Sequence, residues 1–437
     1  MPEKKHYRIL SLLFIVLISL PTFQMLTRVV PEKKLEGSWY EQKLPECTWY
    51  SCYHADYQSA MNRYVEEQYG FRTFFTRLYN QAEYSWFRQP HAQGVVLGRD
   101  GYLFEEWFIE SYYGRNYIGD ETVKLKTRWL RQVRKYFTQQ GRELMVVIAP
   151  GKADYFPEYI PDRLRDSIGK SNYSALSGTF HDARIPVLDL NRLFKAMKDT
   201  VSCPLFPKNG THWSEYGARM ALDTLSGFIS TIIHRPLPDI RLENYHLTNE
   251  IFYPDDDLKK LLNLFFPLPD NPMCYPQVTR ADPTGYNLPS ALVIGDSYFW
   301  QMYNIGLTDL IFKDLQFWYY NSTIYPDSYN TLRKASQVPL PEGVDFADLI
   351  ILIVNPANIQ DIGWGFIDRV MMQEINPAWQ KEYNKMVREY IQAIHNTPEW
   401  ERQVEQKARE NGVAKDSQML HDARYMVEQY MLTQDLL

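Results

Sequence analysis

The chain has 437 residues and a mass of 51.7 kDa, enough for one large domain with appendages or for two domains. A net charge of −6 and a pI near 5.9 exclude the broad basic field that nucleic acid requires, so no nucleic-acid partner is expected. The 32 Tyr and 11 Trp suit a sugar surface and an ordinary core equally, so composition alone does not choose a function.

The elements begin with "MPEKKHYRILSLLFIVLISLPTFQML", in which Lys4, Lys5 and Arg8 precede an apolar run from Ile9 to Leu20 that weakens towards Leu26. A membrane span needs about 20 mostly apolar residues, and no convincing small-x-small cleavage site follows. Residues 1–26 are therefore read as an uncleaved signal anchor in the inner membrane, with the body in the periplasm or extracytoplasmic space. A cleaved signal is the second reading, and a buried core helix the third. Residues 27–55 form a polar spacer carrying Cys47 and Cys52. Export opens the way to disulfides. Of the connectivities that Cys47, Cys52, Cys203 and Cys274 allow, Cys47 with Cys52 and Cys203 with Cys274 is preferred, with buried free thiols as the alternative. No CxxC pair or His-rich partner accompanies them, so neither a metal nor a cofactor is expected.

A globular body is expected over residues 56–365. Its lead-in, from Tyr57 to Phe87, has apolar positions that suit helices interrupted near Gly70. Arg99-Asp100-Gly101 lies between Val95-Val96-Leu97 and Tyr102-Leu103-Phe104 and reads as a hairpin turn. Helix and strand then alternate. Thr122–Gln139 is an amphipathic helix, and Leu144–Pro150 has the continuous apolar run of a buried parallel strand. Arg184–Leu190 is a second strand, and a helix capped by Ser214 follows "GTHW". "SALVIGDSYFW" reads as strand, turn and helix, and Ala347–Ile359 as a fourth buried strand. This rhythm predicts an α/β fold of three layers, a parallel sheet with helices on both faces and its ligand site beyond the carboxyl ends of the strands. Residues 236–289, rich in Pro, Asp and Asn, break the rhythm and are read as an insertion over the sheet. Residues 366–437 are charge-rich and helical in pattern, a tail expected to form a hairpin.

Two residues stand where chemistry is expected. Ser297 follows a buried strand in "VIGDSYFW", where amides of the next turn can face a developing oxyanion. The plainer reading is a helix cap by Asp296 or Ser297. His212 precedes a helix whose N-terminus disfavours imidazolium, so the ring stays neutral and able to accept a proton. A lone His there is more often a capping or surface residue. A serine hydroxyl needs such a base to become a nucleophile, and the order strand, His-loop-helix, strand, GDS, strand favours the pair. Lys152, after the first strand, is weighed as a substrate contact against simple exposure. Trp213 is weighed as a sugar contact against core packing, and packing is preferred.

The segments "EQYGFRTFFTRLYN", "VVLGRDGYLF", "VIAPGKADYFPEYIP", "VLDL", "GTHWSEYGA", "LVIGDSYFW" and "DLIILIVNPANI" followed by "GWGF" carry a resemblance. Over about residues 56–365 the chain resembles the SGNH-hydrolase-like proteins of alginate O-acetylation, the AlgX/AlgJ superfamily. The resemblance implies a Ser297–His212 pair that passes an acetyl group, through an acetyl-serine, to an extracellular or periplasmic polysaccharide. It implies a membrane-bound O-acyltransferase as acetyl donor. A carbohydrate acetylesterase and a non-catalytic glycan-binding or assembly subunit are the alternatives. The family places its acid two residues before the histidine, and this sequence has Gly210 there. Asp154 and Asp189, near the ends of the first two strands, are the candidates to orient His212 instead, and Asn209 or Thr211 are neutral substitutes. Asn355, at the end of the last strand, is a candidate oxyanion or substrate contact, although a turn-capping Asn before Pro356 is preferred.

Overall fold

The computed structural model describes residues 2–433 apart from 38–42, 50–52, 54–55, 281–284, 305, 329–330 and 411–413. The chain folds as two compact units, one of residues 1–106, 207–211 and 251–271, the other of residues 107–206, 212–250 and 272–437.

In the first unit, α1 (Pro2–Thr27) is the helix expected of the anchor. From His6 to Thr27 it is long and apolar enough to cross a membrane, and the rest of the protein covers 6% of that stretch. α2 (Asp56–Gln68) and α3 (Arg72–Phe87) are the two helices predicted on either side of Gly70. β1 (Val95–Leu97) and β2 (Leu103–Glu105) pair antiparallel, with Val95 opposite Glu105. Asp100 and Gly101 turn the chain at φ of 52° and 76°. Val95 and Leu103 then pack with Leu258, Leu262 and Leu268, so residues 251–271 complete the small core of this unit.

The second unit is built on a seven-stranded sheet. Its strands in chain order are β3 (Glu143–Ile148), β4 (Val187–Asp189), β9 (Ala291–Gly295), β10 (Leu315–Tyr319), β11 (Thr323–Ser328), β12 (Thr331–Lys334) and β13 (Leu349–Val354). The short ladders β5 (Ile240–Glu243) with β8 (Gln277–Arg280) and β6 (Leu247–Thr248) with β7 (Met273–Cys274) stand apart from it. The spatial order is β12-β11-β10-β9-β13-β3-β4. Every pairing from β10 through β9, β13 and β3 to β4 is parallel. All four predicted strands are in this parallel set. β13 is buried at every residue because it has neighbours on both sides and helices on both faces. On one face Leu144, Val146, Leu292, Ile350 and Leu352 join Trp129, Phe137 and Phe366 in the main core. On the other, Met145, Val147, Val293, Ile351 and Ile353 are equally buried.

Three features differ from expectation. β10 continues the parallel set by one strand, and β11 and β12 add an antiparallel edge beyond it. Their aromatic run "LQFWYY" and the Pro326 within β11 lack the alternation by which a half-buried strand is recognised. The tail is more than a hairpin: helices Pro377–Asn396, Pro398–Glu410 and Lys415–Thr433 share a core of Tyr383, Val387, Ile394, Val404, Met419, Ala423 and Val427. Residues 236–289 are divided, with 251–271 in the first unit and the remainder in the second. Cys203 and Cys274 form the predicted disulfide, Cα atoms 5.9 Å apart, and so tie β7 to the chain nine residues before His212. The predicted Cys47–Cys52 pair involves Cys52, which lies outside the described residues.

Candidate active site

Ser297 stands one residue beyond the Gly295-Asp296 step that ends β9. Gly295 is required there, since a Cβ at this position would sit 2.2 Å from Ile353 Cγ2 on the neighbouring β13. Asp296, fully buried, fixes the turn. Its Oδ1 accepts from the Tyr298 amide (3.1 Å), and its Oδ2 accepts from the Asn355 amide (2.9 Å) and Asn355 Nδ2 (2.7 Å), with Asn358 Nδ2 at 3.4 Å. One carboxylate thus locks the end of β13 to the turn that carries Ser297. Burial pushes its pKa up, opposed by the amides of Asn355 and Tyr298, by Asn358 and by the charge of His212.

Ser297 Oγ lies 2.8 Å from His212 Nε2. Both residues are half-buried. The histidine loop is held from several sides. Ser214 caps the helix Glu215–Ile233 by accepting from the Gly217 amide (2.9 Å), as predicted. Gln301 Nε2 donates to the Trp213 carbonyl (2.9 Å). Tyr298 places its ring edge-on to His212 at 4.9 Å and to Trp213 at 5.5 Å. Trp213 is completely buried against Phe194 and Tyr298, which makes it a core residue and removes it as a sugar contact. Tyr298 and Gln301 were not singled out in the sequence, although both stand within four residues of Ser297.

Gly210 has a steric explanation. A Cβ there would lie 2.8 Å from the Asp255 carbonyl oxygen and 2.8 Å from Pro207 Cγ, with the Asp255 carbonyl carbon at 2.9 Å. A buried segment of the same unit occupies the space that an acidic side chain at 210 would need. Asn209 and Thr211 are engaged elsewhere: Asn209 Nδ2 donates to the Pro269 carbonyl and Asp270 Oδ1, and Thr211 Oγ1 to Glu105 Oε2.

The other candidates separate by strand order. Asp189 ends β4, three strands from β9, or roughly 14 Å at the usual strand spacing. Its Oδ1 caps the following helix at the Arg192 amide (2.9 Å), and its Oδ2 accepts from the Tyr173 hydroxyl (2.8 Å). It is a structural cap, and the expectation that it orients His212 is corrected. Asp154 follows β3, two strands from β9, and Asn191 Nδ2 donates to its Oδ1 (3.3 Å) while Asn191 Oδ1 accepts from the Gly151 amide (2.9 Å). Lys152 is buried beside it in the sequence, against the expectation of exposure. Asn355 is committed to Asp296, and its Oδ1 accepts from the amides of Ala357 (2.8 Å) and Asn358 (3.2 Å). It caps this turn, as preferred, and is withdrawn as an oxyanion donor.

Burial raises the pKa of Asp154 from 3.8 to about 6, opposed by the charge of Lys195 and the Asn191 hydrogen bond and assisted by the charge of Asp189. The folded chain therefore keeps a proton that the unfolded chain releases on going from about pH 4 to about pH 6. Stability is greatest below this window and falls as pH rises through it. Asp154→Asn is expected to abolish that slope and raise stability at pH 7 by about 2–3 kcal/mol. Thermal unfolding between pH 4 and pH 8 checks this, and an unchanged slope in the variant would assign the proton to another group.

Tyr320, at the end of the unpredicted β10, completes the surroundings of the serine. Its amide donates to the Gly295 carbonyl (2.9 Å), which holds it beside the end of β9. Burial, with the charge of Asp296 next in weight, pushes the phenol up, so it stays neutral.

Residues 95–277 match the family described as SGNH hydrolase-like domain, acetyltransferase AlgX. The matched residues are similar to the SGNH-hydrolase-like domain of that family. The AlgX match includes His212 and ends before Ser297. Among similar proteins, the probable alginate O-acetylase AlgJ of Pseudomonas putida is 28% identical over 137 residues, 31% of this chain and 34% of that one. The AlgJ of Pseudomonas aeruginosa is 25% identical over 189 residues, 43% of this chain and 45% of that one. The chain thus spans less than half the length of these curated relatives. The solved O-acetyltransferase domain of Pseudomonas putida AlgJ superposes with a TM-score of 0.43 at 20% identity, covering 61% of this chain and 92% of that domain.

Proposed function

We propose that the chain is an O-acetyltransferase that modifies an exported polysaccharide through an acetyl-Ser297 intermediate. The observation that carries this is the 2.8 Å approach of Ser297 Oγ to His212 Nε2 at the strand end of an SGNH-like domain. In the first half-reaction His212 Nε2 takes the Oγ proton as Oγ bonds to the acetyl carbonyl carbon. Collapse of the tetrahedral species expels the donor's leaving group, which receives the proton from His212. In the second half-reaction His212 deprotonates a polysaccharide hydroxyl, which takes the acetyl group and frees Ser297.

The Tyr298 amide is taken by Asp296, so the oxyanion is assigned to the amide of Ser297 itself and to the hydroxyl of Tyr320, whose backbone is held at the end of β9. Tyr320→Phe is expected to lower kcat by about 10²-fold with the fold intact, the usual effect of losing one oxyanion donor. Steady-state kinetics on an acetyl ester check this, and an unchanged kcat would remove Tyr320 from the oxyanion site.

The acceptor class follows the relatives, whose names state alginate O-acetylation. The N-terminal helix is proposed to anchor the body outside the inner membrane, within reach of a membrane-bound O-acyltransferase as donor. Incubating the purified full chain with an acetyl ester, with and without a uronate polysaccharide, tests the reading. Acetyl esters on the polysaccharide support transfer. Free acetate that the polysaccharide does not divert makes the protein an esterase, and no acetylation of Ser297 makes it a non-catalytic subunit.

A further inference from the structure

α3 is amphipathic in the reverse sense. Its polar residues Thr73, Arg77 and Asn80 are buried, while Phe74, Phe75, Leu78, Tyr79, Trp86 and Phe87 are exposed, Trp86 at 77%. A surface helix of a water-soluble protein turns its apolar stripe inward, so this arrangement calls for an apolar medium outside. The buried polar residues show why the helix cannot roll over. Asn80 Nδ2 donates to the Leu262 carbonyl (2.9 Å), and Arg77 Nη2 to the Lys34 carbonyl (2.7 Å). Thr73 donates to Glu32 Oε2 through its amide (3.2 Å) and its hydroxyl (2.7 Å).

Those acceptors include the chain that leaves α1. At the same end, the Gly70 amide donates to the Pro21 carbonyl (3.1 Å), and Arg28 Nη2 to Gln68 Oε1 (2.6 Å). The Phe71 amide donates to Glu32 Oε1 (2.8 Å), and Gln24 is buried in the junction. Burial tends to raise the pKa of Glu32, but the bonds from Thr73, Phe71 and Gln24 outweigh it and hold the carboxyl below its ordinary value. α3 therefore starts beside the last turns of α1 and is clamped there by side chains and backbone, so the exposed stripe begins next to the end of the apolar helix. Phe265, whose ring lies 5.4 Å from Phe74, and the exposed Phe266 widen the patch. Arg28 and Arg88, both exposed at its margins, match anionic headgroups.

We propose that α3 lies in the membrane–water interface, its aromatic stripe seated at the boundary of headgroups and acyl chains, as a second contact beside the spanning helix. Trp, Tyr and Phe on one face of a helix suit this boundary, where ring bodies leave water and polar edges stay wet. The two contacts together fix the orientation of the first unit on the bilayer, which a single spanning helix followed by a flexible spacer would not do.

The proposal rests on the anchor reading of α1, and one experiment separates them. A benzophenone side chain is placed at Leu78, at Trp86, at Leu17 in α1 and at the solvent-exposed His181 of the full chain. Each protein is irradiated in vesicles of phosphatidylethanolamine and phosphatidylglycerol. The expected result is a mass shift of one phospholipid at positions 78, 86 and 17 and none at 181. Adducts at 17 without adducts at 78 and 86 overturn the interfacial assignment and leave the anchor standing. No adduct at 17 overturns the anchor and the interfacial helix together. In intact cells, a discrete protein adduct at 78 and 86 in place of lipid assigns the stripe to a protein partner and also overturns the proposal.

Discussion

Ser297→Ala is expected to lower acetyl-ester turnover by about 10⁴-fold or more and to abolish acetylation of the protein. The size follows from the division of labour at the site. Without Oγ there is no covalent intermediate and no proton for His212 to take, while the proposed oxyanion donors remain. Residual turnover should then reflect direct attack by water, insensitive to added polysaccharide. The fold should be unchanged, because Ser297 is half-buried and the cap of its turn is Asp296. Intact-mass measurement after exposure to an acetyl ester, paired with steady-state rates, reads both effects. A variant that still acetylates itself and turns over at the parental rate would refute a serine mechanism.

Asp296→Ala is expected to combine the largest loss of stability with loss of activity. The carboxylate is fully buried and receives the Tyr298 amide, the Asn355 amide and side chain, and Asn358 at longer range. Removing it strands several buried donors at once, and each unsatisfied group costs about 1–3 kcal/mol. Partial access of water reduces the sum, so a loss of about 3–5 kcal/mol is expected. The turn that aims Ser297 at His212 loses its cap in the same step, so the folded fraction should also be slow. Urea unfolding followed by tryptophan fluorescence gives the first quantity, and turnover per folded molecule at low temperature the second. A midpoint equal to the parent's would mean that the donors find new acceptors. Unchanged turnover with reduced stability would confine Asp296 to a structural role.

Much of the site was legible because its pieces are local. "VIGDSYFW" announces a strand that stops at a glycine, and "GTHWSEYGA" a capped helix start. The chemistry of serine and histidine then limits what the two can do together. Asp189 fails as a candidate, while Asn355 and Trp213 take the structural roles preferred for them, and all three share a cause. Asn355, Asp189 and Trp213 each stand at a strand end or beside the histidine, where a functional reading is natural. Their partners come from distant parts of the chain: Asp296 for Asn355, Tyr173 for Asp189, and Phe194 with Tyr298 for Trp213. Tyr320 was missed because it follows β10, whose aromatic run has no strand periodicity.

The sequence by itself determined the apolar N-terminal helix, the four parallel strands, the Cys203–Cys274 pair and the two residues that meet at 2.8 Å. The helix and strands follow from residue period and continuous apolarity and the site pair from the motifs around each residue, whereas the disulfide is the preferred one of three connectivities. Only the tertiary structure decided why residue 210 is glycine, how the turn around Ser297 is held, and which face of α3 is buried. Those depend on close approach between segments far apart in the chain. Local pattern is silent there, because hard-core packing and the pairing of buried polar groups settle them once the elements have come together.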